Sequence, residues 1–166
     1  MKEGDSVLLE SNLAASSMKK RKDAIEAIIN ERATIPGLIK YFDWDQECTP
    51  EEIPNMEVTE EELDLYTETQ PDGEVFELNE SQRDAFKKLY KFGPLGLLQG
   101  PPGTGKTAFI GAFIHYKISK GAKKVLIACQ SHEAVNNAAD KVREIFHTKN
   151  ENVSIIRLGD ENHISE

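Results

Sequence analysis

The eight residues GPPGTGKT, Gly100 to Thr107, constrain this chain more than anything else in its sequence. They satisfy the pattern G-x-x-x-x-G-K-[ST] through Gly100, Gly105, Lys106 and Thr107, with Pro101, Pro102, Gly103 and Thr104 between. Glycines let the main chain curl until successive N–H groups aim at one anion, and a helix opening at the end of the loop adds its partial positive charge. A phosphate fits such a nest without side-chain help. Lys106 then supplies a catalytic point charge for the outer phosphates, and the Thr107 hydroxyl is a hard oxygen ligand suited to Mg2+. The expected occupant is ATP with magnesium. At typical residue frequencies the pattern arises by chance in about one chain of this length in a hundred or fewer. The alternative is a Gly-rich turn joining a strand to a helix.

The surroundings of the loop agree with a phosphate site. Leu95 to Gln99 reads as an apolar strand entering it, and Lys106 to about Ser119 as a helix leaving it, with Ala108, Phe109, Ala112, Phe113 and Tyr116 inward and Lys120 and Gly121 ending it. Upstream, Asn79 to Tyr90 reads as a helix. Downstream come a strand at Lys124 to Cys129, a helix at His132 to His147 and a strand at Val153 to Leu158. Strands alternating with helices imply right-handed crossovers and a parallel sheet covered on both faces, an α/β fold.

The N-terminal half reads differently. Val7 to Leu9 is a lone apolar run, and Ser17 is a good N-cap for an amphipathic helix reaching about Arg32, with Met18, Ile25, Ile28 and Ile29 at helical spacing. Pro36 to Phe42 reads as a second short helix whose Ile39 and Phe42 dock on a core. The net charge of −9 argues against a nucleic-acid partner only until its distribution is considered. Residues 43 to 80 hold fifteen acidic residues and no Lys or Arg, which leaves fourteen acidic against twenty basic elsewhere, a balance of +6. The acidic stretch, with Pro50, Pro54 and Pro71, reads as a solvated linker, and recruitment of a partner is its alternative. The basic cluster Lys19 to Lys22 is either a solvated helix face or a contact to nucleic acid. No long apolar run or leader pattern is visible, so a cytoplasmic chain with no membrane contact is expected. Cys48 and Cys129 lie far apart and outside any metal-binding spacing, as plain thiols do.

Gln82 carries two readings. It stands three residues after Asn79, the spacing of a capping box, and that role needs no ligand. Its amide also offers donors and an acceptor that match the N6 amine and N7 of adenine.

Together LNESQRDAF (78–86), GPPGTGKT (100–107), VLIACQSHEAVNN (125–137) and IIRLGD (155–160) resemble the opening of a superfamily 1 helicase. The resemblance is to the 5′-to-3′ branch related to the nonsense-mediated-decay helicase and its bacterial relatives. It implies a RecA-like P-loop motor, ATP-dependent hydrolase chemistry, and single-stranded DNA or RNA as partner. Gln82 falls on the family's Q motif, which reads adenine, and Gly103 to Thr107 on motif I. Cys129 to Asn137 fall on motif Ia, where the family usually has Ala-Pro-Ser-Asn and this chain has Cys-Gln-Ser-His. Ser131 matches best, either as a donor to the strand's backbone or as the N-cap of the helix that follows. Gln130 and His132 fit less well, and Asn136 and Asn137 read as a polar helix face. The implied organisation is a remnant of a β-barrel at 1–16, stalk helices at 17–42, an acidic linker at 43–76, and the N-terminal part of the first RecA-like domain at 77–166.

Hydrolysis also needs a carboxylate to hold magnesium and another to position water. In the family these lie on a later apolar strand ending in Asp-Glu. The resemblance therefore implies a segment of a larger motor, lacking the remainder of that motor and inactive alone. Two other readings stay open: a complete small P-loop NTPase using Asp160 and Glu161, or a nucleotide-binding module without catalysis. Hydrolysis by the isolated chain separates the second from the other two.

Overall fold

A computed structural model describes residues 12–43, 45, 49–69 and 75–158. Val7 to Leu9, Cys48, Asp160 and Glu161 lie outside the described residues. The chain divides into two compact units, residues 1–51 and 52–166.

In the first unit, helix α1 spans Asn12–Ile29. It begins earlier than the expected cap at Ser17, which lies inside it. Asn30 Nδ2 donates to Glu26 O at 2.7 Å, Glu31 takes a positive φ of 53°, and the helix ends there. Leu38–Phe42 forms a 3-10 helix preceded by Gly37 in the left-handed region, so the second short helix exists but is tighter and later than expected. Phe42 is exposed rather than docked.

The second unit is organised by three helices: α3 (Glu80–Lys91), α4 (Lys106–Ser119) and α5 (His132–Thr148). Each starts within a residue of its expected position. Helix α4 is central and buries Phe109, Ala112, Ile114, His115 and Tyr116. One apolar cluster joins α3 to α4 through Phe86, Tyr90, Phe109 and Tyr116, and a second joins α4 to α5 through Ile114, Val142 and Phe146. Gly111 permits the close approach of α4 and α5, since a Cβ there would lie 2.9 Å from Ile145 Cδ1.

The parallel sheet expected from the sequence does not form among the described residues. The ladders are two-residue pairs: β1 (Glu51–Glu52) with β4 (Phe92–Gly93), and β2 (Glu68–Thr69) antiparallel to β3 (Val75–Phe76). Residues 95–99, 124–129 and 153–158 carry no strand pairing. The last keeps a two-residue alternation, with Val153 and Ile155 on the α4–α5 cluster and Ile156 and Leu158 about 80% exposed. Leu97 and Leu126 are 89% and 87% exposed. A strand of a parallel sheet is apolar on both faces because it is covered on both. Here Ile127, Val153 and Ile155 meet the α4–α5 cluster while Leu97, Leu126, Ile156 and Leu158 meet water, so apolar sequence alone does not complete a ladder.

The acidic stretch is also not the solvated loop its composition suggests. Helix α2 (Glu60–Asp64) starts at Thr59 with a full capping box to Glu62. Leu63 is fully buried, and Met56, Val58 and Tyr66 pack against the cluster around Phe86. Several of its charges are matched. Glu60 pairs with Arg83 and Lys87, Asp64 with Arg83, Glu62 with Lys120, and Glu52 with Lys91.

His115 is buried on α4, where its Nδ1 meets Tyr66 Oη at 2.8 Å and Phe146 packs on its ring edge. Its Nε2 has no hydrogen bond, although Glu151 Oε2 lies 3.3 Å away. Burial pushes the imidazole's pKa down; Glu151 opposes this and nearby Lys149 reinforces it. The folded protein therefore prefers neutral His115, whereas the unfolded chain takes up a proton near its ordinary pKa of about 6.5. Stability is full above that pH and falls as pH drops below it, by at most about 1.4 kcal/mol per pH unit for one proton. Urea unfolding at pH 7.5 and 5.5 should show this loss, and His115→Gln should reduce it. A wild-type chain more stable at pH 5.5 would contradict the assignment.

Candidate nucleotide site

Residues 100–107 lie at the N-terminus of α4, whose first residue is Lys106. Gly103 and Gly105 have φ of 78° and 73°, in the left-handed region that favours glycine, so the loop reverses there without strain. Among the described residues, the backbone N–H groups of Gly103 and Gly105 make no internal hydrogen bond, and residues 102 and 103 form a turn. A Cβ at Gly103 would meet nothing within 4 Å. The loop is also held by its own side chains. Thr104 Oγ1 donates to Pro101 O at 2.8 Å, and Lys106 Nζ donates to Gly100 O and Pro101 O at 2.6 Å each. Thr107, the second residue of α4, is exposed.

Helix α3 supplies the opposite wall. Asn79 caps it by accepting from Gln82 N at 3.0 Å, and Gln82 Oε1 accepts from Asn79 N at 2.9 Å. The same amide reaches across to the loop, where Nε2 donates to Thr104 O at 3.0 Å. The capping role read from the sequence is thus present, joined by a contact to the glycine-rich loop that the sequence did not disclose. Between the walls lies a groove of about 450 Å³ lined by Gln82, Ala85, Leu98, Gly100, Thr104 and Lys106 among others. Pro102 is exposed at the tip of the loop.

Ser131 is the N-cap of α5, its Oγ accepting from Ala134 N at 3.4 Å, so the capping alternative is realised. Its exposed hydroxyl keeps a proton to donate. Arg157 organises this end of α5. Its Nε donates to Asn136 Oδ1 at 3.1 Å, and Nη2 lies 3.1 Å from His132 Nδ1. Asn136 is therefore more than a polar helix face. The exposed thiol of Cys129 is free. Among the described residues, no three His, Cys, Asp or Glu side chains could together hold a metal ion, and no helix is long and apolar enough to cross a membrane.

Residues 77–166 match the family model described as AAA domain. The chain is 40% identical over 82 residues to the DNA replication ATP-dependent helicase/nuclease of Saccharomyces cerevisiae, covering 49% of this chain and 5% of that protein. It is 46% identical over 70 residues to the regulator of nonsense transcripts 1 of Dictyostelium discoideum, covering 41% of this chain and 5% of that protein. Over 150 residues it is 29% identical to an uncharacterized ATP-dependent helicase of Methanocaldococcus jannaschii, covering 90% of this chain and 20% of that protein. The chain thus spans between a twentieth and a fifth of these relatives. No solved structure matches it significantly. A match over more than half of the chain, on the residues that build the phosphate loop and its glutamine wall, places the chain in the AAA domain family, as a relative of the N-terminal motor region of superfamily 1 helicases.

Proposed function

We propose that this chain is the ATP-binding segment of an ATP-dependent DNA or RNA helicase motor. The observation that carries the reading is the loop Gly103 to Thr107, in which the free amides of Gly103 and Gly105 sit at the mouth of α4 beside the amide of Gln82. Gly100 to Lys106 would cradle the phosphates, with Lys106 Nζ exchanging the carbonyls of Gly100 and Pro101 for phosphate oxygens. Thr107 would hold Mg2+, which when bound neutralises phosphate charge. The capping box and the Thr104 contact use one N–H and one lone pair of the Gln82 amide. One of each remains, enough for N7 and N6 of adenine, so capping and base reading are compatible by count.

The names of the relatives support nucleic acid as the partner, and Ser131 is our candidate contact to the backbone of a single strand. We read residues 95–99, 124–129 and 153–158 as the strand segments of a RecA-like sheet, on the strength of their apolar runs and the alternation at 153–158. The domain organisation read from the sequence and a cytoplasmic setting belong to the same proposal. Titration with a fluorescent ATP analogue and magnesium tests it, followed by phosphate release with and without single-stranded DNA or RNA. Saturable binding without release by the isolated chain is expected. Absence of binding overturns the reading, and release lost on Asp160→Asn or Glu161→Gln favours a self-contained NTPase instead.

A further inference from the structure

Helix α2 does not line the groove beside the glycine-rich loop, yet it reaches both of its walls. Glu60 and Asp64 stand one turn apart on α2, and both hold Arg83 of α3, at 3.0 and 2.7 Å. Glu60 pairs with Lys87 as well. Arg83 Nε also donates to Leu78 O at 2.8 Å, so its rigid planar fork is fixed from several directions at the first turn of α3. Between the two carboxylates Glu62 turns to α4, accepting from Tyr116 Oη at 2.8 Å and from Lys120 Nζ. Lys120 beside it, with the Thr59 amide and Tyr116, holds the Glu62 carboxyl down at about 2, so this contact is ionised at neutral pH. Leu63 is buried in the aromatic cluster shared by Phe86 of α3 and Tyr116 of α4.

The two helices gripped in this way meet at the site. Gln82 neighbours Arg83, and its Nε2 bonds Thr104 O at 3.0 Å; a Cβ at Gly105 would lie 3.1 Å from the same nitrogen. Burial of Leu63 is non-directional, whereas a forked arginine between two carboxylates fixes orientation. The carboxylates of Glu60 and Asp64 are mostly exposed, so their pairs add little to stability and can be removed without unfolding the chain.

We infer that α2 is a brace. Glu60 and Asp64, acting through Arg83, and Glu62, acting through Tyr116 and Lys120, are positioning residues that keep Gln82 in register with the phosphate loop. They thereby set how strongly the base of a purine nucleotide is recognised relative to its phosphates. This rests on the triphosphate reading of Gly100 to Thr107 and extends it by giving the acidic segment a share in base selectivity.

The test uses the full 166-residue chain as wild type, Gln82→Ala, the double variant Glu60→Gln with Asp64→Asn, and all three substitutions together. Each is titrated with magnesium ATP and with magnesium tripolyphosphate, which has no base. The double variant should lose about three- to tenfold in ATP affinity while holding tripolyphosphate as the wild type does. Added to Gln82→Ala it should cost nothing further, because the amide it positions is gone. If the double variant does not fold, Glu62→Gln carries the same cycle. An unchanged ratio of the two affinities, a parallel loss of both ligands, or full additivity with Gln82→Ala overturns the brace while leaving the triphosphate site standing. A wild-type chain that binds neither ligand overturns the triphosphate reading and the brace with it.

Discussion

Lys106→Ala will lower affinity for magnesium ATP by tenfold to more than a hundredfold while leaving the helices intact. A hydrogen bond to a charged group contributes about 1.5–3 kcal/mol, and each 1.4 kcal/mol is about tenfold in affinity. Lys106 is the charge that the loop can offer, and its Nζ lies against the carbonyls of Gly100 and Pro101, on the loop itself. Its removal deletes two contacts within an exposed turn and none to the core. Alanine is also an excellent helix former at the first position of α4. Circular dichroism and a fluorescent-nucleotide titration check both halves. Wild-type affinity in a folded variant would sink the assignment of Lys106.

Phe86→Ala will have the largest effect on stability, about 3–5 kcal/mol. Phe86 is fully buried, and its ring meets Tyr66, Phe109, Phe113 and Tyr116 at centroid distances of 6.1, 5.6, 5.0 and 5.4 Å. Those partners come from the acidic segment and from α4, so one truncation opens a void where three parts of the chain meet. Against a typical total of about 5–15 kcal/mol, such a loss leaves a substantial unfolded fraction on warming. Urea unfolding of the variant measures it directly. A loss under about 1 kcal/mol would mean that the ring is not the junction between α3 and α4.

What the sequence disclosed was local. The start of α4 follows from a glycine loop and a lysine, and that of α3 from the Asn79–Gln82 spacing; both depend on residues within one turn of each other. Ser17 misled for the same reason, because a good cap inside a favourable helix is simply overrun and α1 runs from Asn12. The contacts that hold the acidic segment could not be read in this way. Leu63 and Tyr66 are two apolar side chains among carboxylates, and Tyr66 finds His115 while Glu62 finds Tyr116 across about fifty residues. Composition counted fifteen acids and suggested a repelling chain, whereas the structure matches several of them to Arg83, Lys87, Lys91 and Lys120.

The strand ladders were not legible for a different reason. Ile156 has the β-propensity of a sheet residue and Leu97 and Leu126 lie in apolar runs, but pairing depends on neighbours, and all three side chains are exposed. The site was more legible than the sheet, since a phosphate loop needs only a helix end and its own backbone. Gln82 was legible as a residue but not in its geometry. Nothing in a single chain of letters says that one amide closes a capping box and crosses to Thr104 at once.

The most direct test follows the backbone amides of the loop by NMR while magnesium tripolyphosphate and then magnesium ATP are added to the 15N-labelled chain. The N–H resonances of Gly103, Thr104, Gly105, Lys106 and Thr107 should shift with either ligand and saturate together, and the Gln82 side-chain amide should respond to ATP alone. Loop amides that stay in place while ligand binds elsewhere, or that never respond, would contradict the account.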